Sequence, residues 1–459
     1  MKKSVLVFFL VVFLVISFTG NLFAKGEKEE GAVKEATEET VSFQVAAFDC
    51  AYGLEWIEET IRVFEEKHPN VEVELLADPK IHEKLQPMFL SGNPPDVVNP
   101  GPYFDIWGAI LEGQLKPLEK YLTSNAIGKE ISWAETLVDN ILSSGTTSDG
   151  HIYYVPMFVN NVGWFYNQTV WDKYGWAPPE TWEDAYELFD AMRNSGIEPI
   201  ANQGVWPLYI RYIYMGEFIA RLAGLQKLEA CWNLRADSWT DPEVVNAFAF
   251  IKSLADTYFQ EGHLGMNHLQ SQAEVMVGHA GMIGVGDWFP KEESEIWVEG
   301  DEIRATGFPH FPESKYPQDV YLKDIDAAML WAIPEDSTNA ELSADFLKLL
   351  YSEQIQRVIV NNTGNITIFK GSQAWVPDNK FGRAVKSCGE ISKDASTTFL
   401  QRIVFDTWYP EIGKVIDNNI LKMFSGEATP EELCASIQKV CDKVRNDPNA
   451  VKHHYSVGD

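Results

Sequence analysis

Positive charge is scarce in this chain. Its 459 residues carry 37 Lys and Arg against 67 Asp and Glu, a formal charge of −30, and a surface of that sign opposes binding to nucleic acid or anionic lipid. Neutral and cationic ligands stay open. Cysteine is sparse as well, with five residues at 50, 231, 388, 434 and 441 that cannot all pair. Cys434 and Cys441 lie seven apart in a helical pattern, about 10 Å along the axis, beyond the roughly 7 Å that a disulfide spans between Cα atoms. No disulfide framework is indicated, although individual bridges stay open. Long apolar runs are confined to Val5 to Ile16, which falls short of the roughly 20 residues needed to cross a bilayer. With Lys2 and Lys3 before it, this run reads as a signal peptide over 1–24, cut after Ala24, with Leu22 large for the minus-three position. No cysteine near the cut offers a lipid tether. The mature chain, near −32 without its two N-terminal lysines, is expected to be soluble, monomeric and periplasmic or secreted, with no membrane insertion.

Catalytic signatures are also missing. There is no Gly-x-Ser-x-Gly elbow, no strand-to-helix Gly-x-Gly-x-x-Gly, no phosphate-binding Gly-Lys-Ser/Thr loop and no His-Glu-x-x-His. His263 and His268 are five apart, which does not align two ligands on one helix face, and they read as surface or cap residues. No metal and no cofactor is expected. A hydrolase working through two carboxylates remains a rival, because 67 acidic residues hide any particular pair. No motif marks one, and the expectation is a binding protein without catalysis.

What is present is organised. Residues 25–40 are Glu-, Lys-, Ala- and Thr-rich, too poor in large apolar groups to build a core, and read as a flexible leader. The 419 residues that follow exceed one usual core and point to two lobes. Val41 to Phe48 alternates like a strand, Leu54 to Lys67 has helical spacing, and Val71 to Leu76 alternates again, which predicts parallel strands joined by a crossover helix. A helix over Ile81 to Leu90 stops at Gly92-Asn93-Pro94-Pro95, and a short strand starts at Asp96. The class is α/β. Thr181 caps a helix over Trp182 to Asn194, with acidic residues in its first turn, and helices predominate to Tyr258. A late strand, Ala327 to Ile333, and a helix over Asn339 to Tyr351 are expected to return to the first lobe. A chain that leaves one lobe and comes back crosses more than once, and ligands favour such interfaces. The expected lobes are 41–158 with 308–364, and 159–307 with 365–459, with crossings near Val159, Gly307 and Gly364.

Several segments in fixed order carry a resemblance. They are Phe64-Glu65-Glu66-Lys67-His68-Pro69-Asn70-Val71, Ser91-Gly92-Asn93-Pro94-Pro95-Asp96-Val97, Gly150-His151-Ile152-Tyr153-Tyr154-Val155-Pro156, Trp164-Phe165-Tyr166-Asn167 and Pro179-Glu180-Thr181-Trp182-Glu183-Asp184. Gly278-His279-Ala280-Gly281-Met282, Gly286-Asp287-Trp288, Trp331-Ala332-Ile333-Pro334 and Asn362-Thr363-Gly364-Asn365 follow. From about Val41 to Val440 the chain resembles the extracellular solute-binding proteins, in the sugar-binding group that includes maltodextrin binders. A narrower likeness, to binders of N-acetylglucosamine and its β-linked disaccharide, rests on Lys84-Leu85-Gln86-Pro87, Gly196-Ile197-Glu198-Pro199 and His268-Leu269-Gln270-Ser271-Gln272. The resemblance implies a two-lobed periplasmic binding fold of the type II, maltodextrin-binder kind, with discontinuous domains and a ligand cleft between them. It also implies a neutral carbohydrate ligand and the permease subunits of an ABC transporter as partners.

A pyranose presents an apolar face and a rim of hydroxyls, so its site needs aromatic plates and hydrogen-bonding side chains. Trp288 is the leading plate because Gly286-Asp287-Trp288 resembles a loop that stacks on sugar in similar proteins; a tryptophan packed between helices is the competing reading. Trp206 and Trp408 are further plates, each with a core role as alternative. For the rim, Asn99 to Tyr103 resembles the family's contact loop but lacks its aspartate, with Tyr103 nearby. Asn160 falls where maltodextrin binders place a carboxylate, or else stabilises a hinge turn. Asp49 and Asp287 are acceptors, with helix capping and a solvent-facing position as their rival roles. The lining is expected to be less acidic than the whole chain.

Overall fold

The computed structural model describes residues 40–139, 141–147, 150–326, 328–393 and 395–457. The signal peptide and the leader as far as residue 39 lie outside the described residues, as does Ala327 at the start of the expected late strand.

Among the described residues, two sheets divide the chain. The first contains β1 (Val41–Phe48), β2 (Val71–Asp78), β3 (Val97–Val98), β4 (Tyr154–Pro156) and β10 (Leu330–Ala332) in the order β2-β1-β3-β10-β4. β1 runs parallel to β2 from Val41↔Val71 to Phe48↔Asp78 and parallel to β3, while β10 is antiparallel to β3 and β4. β1 therefore sits inside the sheet, with Phe43, Val45, Ala46 and Ala47 fully buried. The crossover helix Glu55–Lys67 buries Trp56, Ile57, Thr60, Val63 and Phe64, the spacing of one helical face, with Glu55 and Glu58 in its first turn and Lys67 in its last. Phe64 meets Phe43 at 5.4 Å and Phe346 of helix Ala340–Leu350 at 5.3 Å.

The second sheet has β5 (Val159–Asn167), β6 (Glu198–Ala201), β7 (Ala280–Gly286), β9 (Val320–Ile325) and β11 (Thr397–Phe399) in the order β11-β9-β5-β7-β6, with β8 (Ile303–Thr306) also on β5. Eight of the nine residues of β5 are buried, which fits a central strand. Around Trp164, the rings of Phe308, Trp182 and Phe189 stand at 5.2, 5.6 and 5.8 Å. The helix Trp182–Asn194 begins as its sequence predicts: Thr181 Oγ1 accepts from the Asp184 amide at 3.2 Å, and Asp184 accepts from the Thr181 amide at 2.9 Å.

The crossings differ from the expected ones at two places. The chain first passes between sheets at Phe158–Val159. The return is at Asp326 rather than Gly307, because 308–325 stays with the second half: β9 pairs with β5 and β11, and buried Arg221 donates to the carbonyls of Phe308 (2.9 Å) and Val320 (3.1 Å). The last crossing falls past Trp375 rather than at Gly364. Val138 donates to the Ile368 carbonyl and Lys370 to the Thr136 carbonyl, each at 2.8 Å, which holds this stretch on the first half, whereas helix Lys380–Ile391 packs on β8. The segments at the crossings are laced together: Met157 donates to Met329, Ile368 to Met157, and Asp326 to Phe158.

All five cysteines are free. Cys434 and Cys441 lie on the buried face of helix Pro430–Asn446.

Candidate ligand-binding cleft

A cavity of about 240 Å³ opens where the two halves meet. From the first half come the loop after β1, Phe48 to Tyr52, the turn at Pro102 and Tyr103, and Ala328 and Met329 after the return crossing. From the second come Trp206, Tyr209, Tyr212, His268, Trp288, Glu292 and Arg402, and Asp326 stands at the crossing itself.

Trp288 lies in the wall, 6% exposed. Gly286 makes room for it: a Cβ at that position would come within 2.0 Å of the indole, so the Gly-Asp-Trp order lets the ring fold back over the end of β7. Tyr209 stands edge-on to it at 6.2 Å and the Arg402 guanidinium lies 5.8 Å from its centroid. Across the mouth, Trp206 stacks on Tyr103 at 6.1 Å and 26°. Tyr103 is 51% exposed with φ of 73°, a left-handed backbone that a non-glycine residue rarely adopts. The preceding turn depends on Gly101, also left-handed, where a Cβ would strike the Phe48 ring at 2.8 Å.

The polar groups fall in two sets. Asp49 and Glu292 face the cavity. Burial, then the charges of Asp78 and Glu55, raises the Asp49 carboxyl above its ordinary value. Glu292 Oε1 is 3.4 Å from His268 Nε2, and its Oε2 is buried without a hydrogen-bond partner, an acceptor turned to no group of the protein. Beside it, burial and then the Glu292 charge push Glu293 up to about 7. The second set braces the crossings. Asp326 Oδ2 accepts from the Tyr52 hydroxyl at 2.9 Å and from Asn160 Nδ2 at 3.1 Å, while Oδ1 accepts from the Ala328 amide and from Arg402 Nη1, each at 3.0 Å. Asp287 Oδ2 accepts from the amide (3.1 Å) and Nδ2 (3.3 Å) of Asn161, and Oδ1 from Asn365 Nδ2 (3.2 Å). Burial pushes the Asp287 carboxyl up to about 7, against those hydrogen bonds, which lower it.

Two widened helical turns, Arg211–Met215 and Ile403–Trp408, are joined through Asp406. Such π-type turns recur at functional sites. Arg211 pairs with both oxygens of Asp417 (2.9 and 3.0 Å) and with Asp406 (2.6 Å), and Tyr212 donates to Asp406. Tyr212, in the first turn, and Arg402, just before the second, both reach the cavity, with the guanidinium 4.4 Å from the Tyr212 ring.

Asp49, Tyr103, Trp206 and Trp288 are thus brought together, and four other expected contacts are not. Asn99 is fully buried: its Nδ2 donates to the carbonyls of Ala328 and Leu330, each at 3.0 Å, and its Oδ1 accepts from the Phe48 amide at 3.1 Å, so it braces the loop rather than the ligand. Asn160 accepts from Tyr52 and donates to Asp326, the hinge role. Asp287 is 1% exposed, neither in the lining nor facing solvent. Trp408 stacks flat on His453 at 4.8 Å, away from the cavity. The lining, with Asp49, Glu292 and Asp326 against Arg402, is not less acidic than the chain. His268 is a cavity residue rather than a surface or cap residue. Tyr52, Tyr209, Tyr212, Glu292, Asp326 and Arg402 were missed: none sits in a distinctive motif, and the one signal that could have found any of them is the closeness in sequence of Tyr209 and Tyr212 to Trp206. Among the described residues, no group of three or more His, Cys, Asp or Glu could hold a metal.

Two α/β halves that share crossings and close over an aromatic cleft define a two-lobed binding protein. The model for the bacterial extracellular solute-binding protein family matches residues 51–357, and the chain belongs to that family. It is 23% identical over 440 residues, 93% of this chain and 90% of the other, to the diacetylchitobiose binding protein NgcE of Streptomyces coelicolor. It is 28% identical over 294 residues, 56% of this chain and 63% of the other, to the melibiose/raffinose/stachyose-binding protein MelE of Bacillus subtilis. In fold it is similar to a chitin oligosaccharide binding protein, with a TM-score of 0.70, 21% identity and 88% and 98% of the two chains covered. It is also similar to RafE in complex with raffinose, with a TM-score of 0.69, 17% identity and 88% and 99% covered. Among the described residues, no helix is long and apolar enough to cross a membrane.

Proposed function

We propose that this protein is the substrate-binding component of a carbohydrate ABC importer, capturing a neutral mono- or oligosaccharide without cleaving it and presenting it to membrane permease subunits. One observation carries this reading: Trp288, Trp206 and four tyrosines share a cavity with the carboxylates of Asp49 and Glu292. Aromatic faces take the C–H face of a pyranose, and carboxylate oxygens accept from its hydroxyls. Similarity to a diacetylchitobiose binder favours that β-linked dimer of N-acetylglucosamine as the first ligand to try, and similarity to a melibiose/raffinose/stachyose binder makes those galactosides the second. Capture follows from the crossings. The halves rock about the crossings near Phe158, Asp326 and Val376, and closure brings the Trp206 wall over a sugar resting on the loop after β1.

A thermal-shift screen over mono- and oligosaccharides tests the proposal, because a ligand specific to the folded state at about 100 times its Kd adds about 2.7 kcal/mol of stability. At least one sugar is expected to raise the melting temperature, with peptides and polyamines inert. Binding of a peptide or polyamine and no sugar overturns the reading. So does sustained shortening of chito-oligosaccharides by the purified protein.

A further inference from the structure

We propose that a groove on the first half, between helices Ile81–Leu90 and Ile106–Leu111, is a second carbohydrate subsite that receives the outer rings of an oligosaccharide whose first unit lies in the main cleft. The inference rests on the carbohydrate reading above and deepens it, since it makes the preferred ligand a chain rather than a single ring.

The groove measures about 250 Å³, close to the 240 Å³ of the main cavity. Each alone is below the roughly 300–1,000 Å³ of clefts that take drug-sized molecules, and the two together reach that range. Tyr103 lines both. The backbone of that residue is left-handed and half of its surface is exposed, a combination from which core packing gains little. Strain held at such a point directs attention to function, and what Tyr103 supplies is a ring common to two cavities.

The groove repeats the chemistry of the cleft in a more polar form. Its apolar floor is Phe89 and Phe104, ring centroids 5.3 Å apart. Gln86 and Glu112 are exposed along its rim, and Gln114 donates to Glu112 at 3.0 Å. His82 lies against the Tyr103 ring at 5.7 Å, and its Nδ1 is buried with no hydrogen-bond partner. An aromatic floor, an amide and carboxylate rim and an unmatched ring nitrogen suit a sugar ring better than an apolar helix, which would leave that nitrogen unmatched.

Chain length is the test. Two series serve as probes in isothermal titration calorimetry: N-acetylglucosamine to its β-linked tetramer, and melibiose, raffinose and stachyose. In the series that binds, affinity is expected to rise at least tenfold from the shortest bound member to the longest. Gln86→Trp, which fills the groove from an exposed helix position, is expected to abolish that gain while leaving the shortest member within twofold. If Gln86→Trp does not fold, as judged by its melting curve, the surface double variant Glu112→Ala/Gln114→Ala takes its place, and loss of most of the gain is expected. Affinity that is flat with length, or an equal loss at every length in the folded variant, overturns the subsite and leaves the carbohydrate reading standing. No binding by any member of either series contradicts that reading and removes the subsite with it.

Discussion

Replacing Trp288 by alanine should remove most of the affinity for sugar. Truncating a tryptophan that anchors the centre of a binding pocket costs at least about 2 kcal/mol of binding, a rise in Kd of about 30-fold. Here the loss comes from the shape of the wall more than from bare contact area, since little of the ring is open. The side chain is also 6% exposed and packs on Tyr209 and against Gly286, so truncation carries a fold cost of about 3–5 kcal/mol, as for other buried tryptophans. Trp288→Phe separates the two effects, because it keeps a ring over the glycine and loses only part of the stacking area. Calorimetric titration of both variants, with melting curves confirming that they are folded at the assay temperature, should give a large loss for alanine and an intermediate one for phenylalanine. Trp408→Ala serves as the control and should bind as the wild type does, since that ring lies on His453 outside the cavity. A folded Trp288→Ala protein whose Kd stays within threefold of wild type would refute the assignment of the plate.

Two further predictions concern the frame around the site. The Asp287 carboxyl titrates near 7 in the folded protein, against 3.8 ordinarily, so between those values the native state holds more protons than the unfolded chain and stability falls as pH rises. The penalty is absent below about pH 4 and complete above about pH 7, on the order of 4 kcal/mol. Asp287→Asn should therefore melt higher than wild type at pH 8 and show a shallower slope of melting temperature from pH 5 to 8; an identical slope would count against the burial account. Asn99→Ala strands the Phe48 amide and the carbonyls of Ala328 and Leu330 in a buried setting, where each unsatisfied group costs about 1–3 kcal/mol. Urea titration should show a loss of at least about 3 kcal/mol, and a loss under 1 kcal/mol would mean that Asn99 is not the brace of that loop.

The sequence revealed what repeats locally and hid what depends on distant pairing. The alternation of Val41 to Phe48 and Val71 to Leu76, with a helical face between, forces a parallel pair, and Thr181 with Asp184 announces its own cap. β9 was misplaced because Val320 to Ile325 alternates equally well in either sheet; only its pairing with β5 and the Arg221 bonds to Phe308 and Val320 decide the matter. At the site, Trp288 was picked out by the likeness of Gly286-Asp287-Trp288 to a sugar-stacking loop, and the ring lies in the cavity wall. Asn99 lies in the expected loop yet spends its amide on three backbone partners, an outcome set by Ala328 and Leu330 more than 220 positions away. Arg402 and Asp326 meet across 76 positions, and neither has a neighbour in sequence that hints at the other. Tyr52, Tyr209 and Tyr212 were lost among the aromatics that make up 13% of the chain.

The Tyr103–Trp206 stack has one ring on each half, so it forms only when the halves meet. It acts as a latch. A pair of that geometry contributes about 0.5–1.5 kcal/mol beyond the area it buries, which biases shut over open by roughly two- to thirteenfold. So weak a latch lengthens the stay of a captured molecule without locking it in, and a transporter that pries the halves apart has little to overcome before its cargo is released.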